Sequence, residues 1–112
     1  VLPEYHTAIM CLTRDELERF NFVKGDTEGF VNYALSIENV VFTAFFVKQD
    51  DLVKISFRSI NQFRANLLSK EHFGGGGHIN AAGGAFEGSM EDAIAKFKSV
   101  LPNYKQELLA NC

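Results

Sequence analysis

Between Val40 and Arg58 the hydrophobic pattern changes character once, and that change predicts a hairpin. VVFTAFFVK at 40–48 is apolar on both parities, as a central strand covered on both faces would be. Gln49-Asp50-Asp51 predicts a tight, solvated turn, and LVKISFR at 52–58 follows as the hairpin partner. That second strand alternates, with Val53, Ile55 and Phe57 on one side and Lys54, Ser56 and Arg58 on the other. Lys54 reads as part of a solvated face. Arg58 is harder to dismiss, because it ends the strand beside Ser59 with few acidic residues nearby in sequence.

Around this hairpin the pattern predicts further elements. HTAIMCL at 6–12 reads as a buried strand, and Thr13 with Glu16 forms a capping box opening a helix over TRDELERF. Phe30, Val31, Ala34 and Leu35 predict a second short helix over about residues 27–36. A third runs from about Phe63 to His72 and is stopped by Gly74. GGAFEG predicts a short strand. SMEDAIAKFKSVL at 89–101 is the clearest helix: Ser89 caps it, and Met90, Ala93, Ile94, Phe97, Val100 and Leu101 form one apolar stripe for core packing. Pro102 ends it. The order of elements predicts a mixed β-sheet with a central hairpin, flanked by helices, in a single α/β or α+β domain spanning residues 1–112.

Composition adds bounds. With 46% hydrophobic residues, eleven Phe and no Trp among 112 residues, the chain can build one core. No apolar run approaches the roughly 18 residues of a membrane span and no signal pattern opens the chain, so no membrane partner is expected, while two cysteines that need no disulfide point to a reducing cytoplasm. The chain starts Val-Leu-Pro-Glu, without an initiator Met, and reads as an excised piece with upstream sequence missing. Cys11 reads as a buried, reduced thiol inside AIMCL, and Cys112 is the last residue, so no disulfide framework is expected. A net charge of −3 argues against a broad basic surface for duplex nucleic acid, which leaves a local basic pocket as the place for any phosphate.

The stretch HFGGGGHINAAGG at 72–84 concentrates the candidate chemistry. Fixing so much glycine costs backbone entropy, and a linker would be more polar than a run bounded by Phe73 and Ile79. Gly74, Gly75, Gly76 and Gly77 predict an anion-binding nest, in which successive N–H groups converge on phosphate oxygens. A short helix opened by HINAA would add its dipole at the same point. His78 supplies a hydrogen-bond donor or a positive charge, and Asn80 could hold the loop through its side chain. Neither the P-loop spacing nor the dinucleotide fingerprint is present.

KISFRS at 54–59 followed by HFGGGGHINAAGG resembles the DHH-associated C-terminal domain of the DHH (Asp-His-His) phosphoesterases, closest to the subgroup of nanoRNases that also dephosphorylate 3′-phosphoadenosine 5′-phosphate and to RecJ-like and exopolyphosphatase-related proteins. TEGFVNYALSI at 27–37 is similar to this subgroup too, and the resemblance runs from about Tyr5 to Leu101. It implies a division of labour: an N-terminal DHH domain, absent here, binds two divalent metals, usually Mn²⁺, while this domain holds substrate phosphates and needs no cofactor of its own. Arg58 and Ser59 match the family's substrate-contacting pair, and Gly74 to Gly77 with His78 match its loop. Short single-stranded RNA or a nucleotide phosphate is the implied ligand, and a homodimer is left open. The chain contains no Asp-His-His triplet, so it is expected to be inert alone. Two other readings stand beside this one: an RNA-binding appendage like that of alanyl-tRNA synthetases, and a packing or dimerisation domain with a structural glycine turn.

Overall fold

The computed structural model describes residues 2–13 and 40–111. The helices expected over 13–20 and about 27–36 lie outside these residues, apart from Thr13, which closes the first strand.

A short 3₁₀ turn at Pro3–Tyr5 leads into β1 (Thr7–Thr13). The hairpin follows as expected, with β2 (Phe42–Gln49), a turn at Asp50-Asp51 and β3 (Leu52–Ser59). Helix α1 (Ala65–Phe73) then leads to β4 (Gly76–His78) and β5 (Ala81–Glu87). Helix α2 (Met90–Val100), a 3₁₀ turn at Leu101–Tyr104 and α3 (Lys105–Ala110) complete the chain. The five strands form one mixed sheet in the order β1-β2-β3-β5-β4, parallel between β1 and β2 and antiparallel elsewhere.

The pleat sorts the strands by parity. Phe42, Ala44 and Phe46 of β2, Val53, Ile55 and Phe57 of β3, and Ala82 of β5 all face one core with α1 and α2. Phenylalanine fills it. The Phe97 ring of α2 lies 5.7 Å from Phe42, 5.6 Å from Phe46 and 6.1 Å from Phe57, with Phe63 4.8 Å from Phe42. These offset and tilted arrangements suit aromatic quadrupoles, at about 0.5–1.5 kcal/mol per pair beyond the area buried.

The helix ends follow from single residues. Ser89 Oγ accepts the Asp92 N–H at 3.1 Å and caps α2, and Glu91 and Asp92 place negative charge in its first turn. Gly74 closes α1 in the left-handed region at φ 62°, with its N–H on the Ser69 carbonyl. Pro102 falls at the start of the 3₁₀ turn, where its missing N–H costs nothing. The Cys11 thiol is exposed rather than buried, since β1 is the outer strand of the described sheet and Cys11 lies near its solvent-facing end.

Candidate functional site

The glycine stretch forms neither a helix N-terminus nor a nest. HINAA does not open a helix: Gly76, Gly77 and His78 pair with Gly83, Ala82 and Ala81 across a two-residue turn, Ile79-Asn80. Both the Gly74 and the Gly75 N–H groups turn inward to the Ser69 carbonyl, the latter at 3.1 Å. The Ser59 N–H donates to the Asn80 carbonyl at 3.1 Å, which sets the alternation of the ladder. Ala81 and Gly83 therefore direct their backbone groups toward His78 and Gly76, and Gly76 is spent on the sheet. Gly77 is the one of the four whose N–H and carbonyl point out of the open edge. A convergent cradle of successive N–H groups would need all four to point the same way.

Register decides what the hairpin presents. Thr43, Arg58, Ala81 and His78 form one row across β2, β3, β5 and β4, on the sheet face opposite α1 and α2. The next row on that face is Phe45, Ser56, Gly83 and Gly76, and beyond it stand Lys54 and Ala85. Thr43 and Phe45 are buried, whereas Lys54, Gly83, Gly76 and His78 are exposed and Ser56, Arg58 and Ala81 half-buried. The outcome is a floor of small side chains, with the Arg58 guanidinium on one side and the His78 imidazole on the other. Arg58 Nη1 is anchored on the Phe57 carbonyl at 2.8 Å and reaches the Ala82 carbonyl at 3.5 Å.

The glycines divide into two classes. A Cβ on Gly75 would sit 1.8 Å from the Gly83 carbonyl oxygen, and one on Gly84 2.8 Å from both Phe73 Cβ and Ser69 Oγ. Gly77 has φ 143° and a Cβ there would meet the Ala81 carbonyl at 2.6 Å. Those residues are glycine for the sake of the fold. Gly76 and Gly83 are not: a Cβ on Gly76 meets nothing within 4 Å, one on Gly83 makes only an ordinary 3.7 Å contact, and neither has a positive φ. Both lie on the floor in the row beside Arg58, Ala81 and His78.

Ser59 and Asn80 sit differently from Arg58 and His78. The pleat turns Ser59 to the opposite face from Arg58, where it is buried. Its hydroxyl lies 2.8 Å from the Phe63 carbonyl and 3.3 Å from that of Ile79, and it accepts Asn80 Nδ2 at 3.0 Å. Asn80 Nδ2 also reaches the Asn61 carbonyl at 3.2 Å. The two side chains lock the turn onto the end of β3, and Arg58 and Ser59 present their side chains to opposite faces of the sheet. Ser69, which sequence reasoning passed over, ties the hairpin from the helix side: it is fully buried and its hydroxyl donates to the Gly83 carbonyl at 2.8 Å. Gly83 and Ser56 were missed as well, although the alternation that singled out Arg58 puts Ser56 on the same face.

Elsewhere, burial and then the Glu71 carboxylate, which accepts the Tyr104 hydroxyl at 2.5 Å, push that phenol well above its ordinary value. Hydrogen bonding to Glu107 at 2.8 Å raises Arg64. Among the described residues no three His, Cys, Asp or Glu side chains converge as a metal site, and no helix is long and apolar enough to cross a membrane.

Known proteins place this geometry. The family model described as "DHHA1 domain" matches residues 5–104. The bifunctional oligoribonuclease and PAP phosphatase NrnA of Thermus thermophilus is 32% identical over 83 residues, which are 74% of this chain and 25% of that protein. The chain thus spans about a quarter of the curated relatives it matches. The crystal structure of an exopolyphosphatase-related protein from Bacteroides fragilis superposes with a TM-score of 0.88 at 46% identity, covering 96% of this chain and 32% of that one. The C-Ala domain of alanyl-tRNA synthetase from Aquifex aeolicus shares the fold at a TM-score of 0.61 and 11% identity, over 85% of this chain and 89% of that one. The match across nearly the whole chain, with the glycine hairpin inside it, shows that the chain belongs to the DHHA1 domain family, the C-terminal domain of DHH phosphoesterases.

Proposed function

We propose that this domain is the substrate-holding part of a Mn²⁺-dependent phosphohydrolase acting on short oligoribonucleotides or nucleoside 3′,5′-bisphosphates. One observation carries the reading. Gly76 and Gly83 form a bare patch that the fold itself does not require, and it lies in the row next to Arg58, Ala81 and His78, on the face that carries the guanidinium and the imidazole. A surface stripped of Cβ atoms next to two phosphate-binding groups suits a ligand that lies close against the backbone. Arg58 grips a phosphate through parallel hydrogen bonds, and His78 donates a second contact from across β5. Gly77 offers its outward N–H at the same edge. Ser59, Asn80, Gly74 and Gly75 hold the hairpin that carries them.

The metals would be held by a DHH domain preceding this one, where Mn²⁺ would supply the activation of water for phosphoester hydrolysis. In this division the chain binds and orients substrate while the partner domain cuts.

The experiment compares the 112-residue chain with the full-length polypeptide bearing a DHH domain, using 5′-phosphorylated diadenylate and Mn²⁺. The chain should bind without hydrolysis, and the full-length protein should turn the dinucleotide over. Turnover by the chain alone, or no binding at all, overturns the proposal. Salt-sensitive binding of a folded tRNA in place of the dinucleotide would favour a synthetase-type appendage, for which the C-Ala likeness speaks.

A further inference from the structure

The family match stops at residue 104, yet the polar network that holds the His78 hairpin continues beyond it. Asn61 Nδ2 donates to the Asn111 carbonyl at 2.6 Å, and the Gln62 N–H donates to Asn111 Oδ1 at 2.8 Å. Asn111 Nδ2 in turn donates to the Glu107 carbonyl inside α3 at 2.8 Å. From Asn61 the chain of contacts passes to Asn80, whose Nδ2 donates to the Asn61 carbonyl at 3.2 Å. Asn80 is two residues from His78. The helix itself is seated by Leu108, which is fully buried, and by the 2.8 Å pair of Glu107 with Arg64.

Apolar packing does little for the tip. Ile79 is 43% exposed, and an open cleft of about 430 Å³ separates it from Glu107, Ala110 and Asn111. Hydrogen bonds therefore connect α3 to the turn, by the direct side-chain route through Asn61 to Asn80 and by a backbone route in which Arg64 pairs with Glu107 and Ala65 N–H donates to the Ile79 carbonyl at 2.8 Å. Asn61 sits in the left-handed region at φ 57°, a conformation that asparagine tolerates and that aims its side chain at Asn111.

We propose that α3 and Asn111 form a positioning element, outside the shared domain, that sets the orientation of the His78 hairpin and thereby the affinity of the Arg58–His78 face. This rests on the substrate-binding reading above. The test uses Asn61→Gly, which suits the backbone but deletes the link, and Asn111→Ala, with Asn111→Asp as the conservative variant that keeps the acceptor for Gln62. Both deletions should weaken binding of 5′-phosphorylated diadenylate by about threefold to tenfold, the scale of one or two neutral hydrogen bonds. They should also speed amide exchange at Ile79–Ala81 while α2 exchanges as before, and Asn111→Asp should recover part of both. In an Asn80→Ala background the Asn111→Ala effect should vanish. Unchanged affinity in Asn61→Gly and Asn111→Ala, while His78→Ala weakens binding, overturns the positioning role and leaves the site standing. Exchange that rises equally in α2 marks general destabilisation and also overturns it. A wild-type chain that binds no dinucleotide overturns the site and this role together.

Discussion

Arg58 and His78 face the same way from strands on either side of β5, with only the methyl group of Ala81 between them in the row. Their backbones are two strand spacings apart, roughly 9–10 Å, so both side chains can reach one ligand on the floor between them. Arg58→Ala and His78→Ala should each cost about 1.5–3 kcal/mol of binding if they make charge-assisted contacts. Arg58→Lys should recover little, because an ammonium lacks the planar fork. Titration of 5′-phosphorylated diadenylate, with melting curves alongside, measures this. Unchanged affinity in both alanine variants would take them out of the site.

Glycines in the same run should behave oppositely. Gly76→Ala and Gly83→Ala add a methyl group to open floor, so stability should hold or rise by about 0.4–1 kcal/mol while binding weakens. Gly75→Ala drives its Cβ into the Gly83 carbonyl and should lose at least about 1–3 kcal/mol of stability. Denaturant melts paired with ligand titration separate the two classes. If Gly76→Ala and Gly83→Ala both bind normally, nothing approaches the floor closely.

Tyr104 makes stability fall at alkaline pH. Its phenol is held neutral in the fold by burial and by the Glu71 carboxylate, whereas in the unfolded chain it ionises near pH 10. The raised pKa means that its contribution is complete below pH 10 and is lost progressively above it. Melting temperature should drop more steeply between pH 9 and pH 11 for the wild type than for Tyr104→Phe. Parallel slopes would mean that the phenol ionises as readily folded as unfolded.

Thr43 stands in the Arg58 row with its Oγ1 fully buried and without a hydrogen-bond partner among the described residues. Thr43→Val keeps the shape and the β-branch while removing an unsatisfied hydroxyl, so it should stabilise the domain by about 1 kcal/mol. A thermal melt decides it. A destabilised Thr43→Val variant would show that the hydroxyl has a partner in solution.

The parts of this structure that were legible in the sequence are those in which side chains alternate against one core. Val53, Ile55 and Phe57 announce β3, the doubly apolar run at 40–48 announces β2, and the Met90–Leu101 stripe announces α2, because burial on a defined face leaves a periodic trace. Strand β4 leaves none. Gly76 and Gly77 have no side chains to alternate, and their pairing is carried entirely by the backbone, so the stretch read as a nest leading into a helix. The family resemblance pairs Ser59 with Arg58, yet one residue along a pleat is the opposite face. Helix α3, six residues with one fully buried side chain, is too short for its period to register. Arg58 and His78 were legible as candidates; the bare glycine pair beside their row was not, since it depends on Gly83 pairing with both Ser56 and Gly76.

Strand β4 also bears on how the molecule avoids its own kind. It is the outermost strand of the described sheet on that side, and an open sheet margin ordinarily invites another chain to add a strand. Here the margin is three residues long, two of them glycine, followed at once by a turn. So short and weakly strand-forming a template offers a neighbouring polypeptide little to register against. The shortness and glycine content that leave the hairpin's edge bare therefore also make it a poor seed for polymerisation.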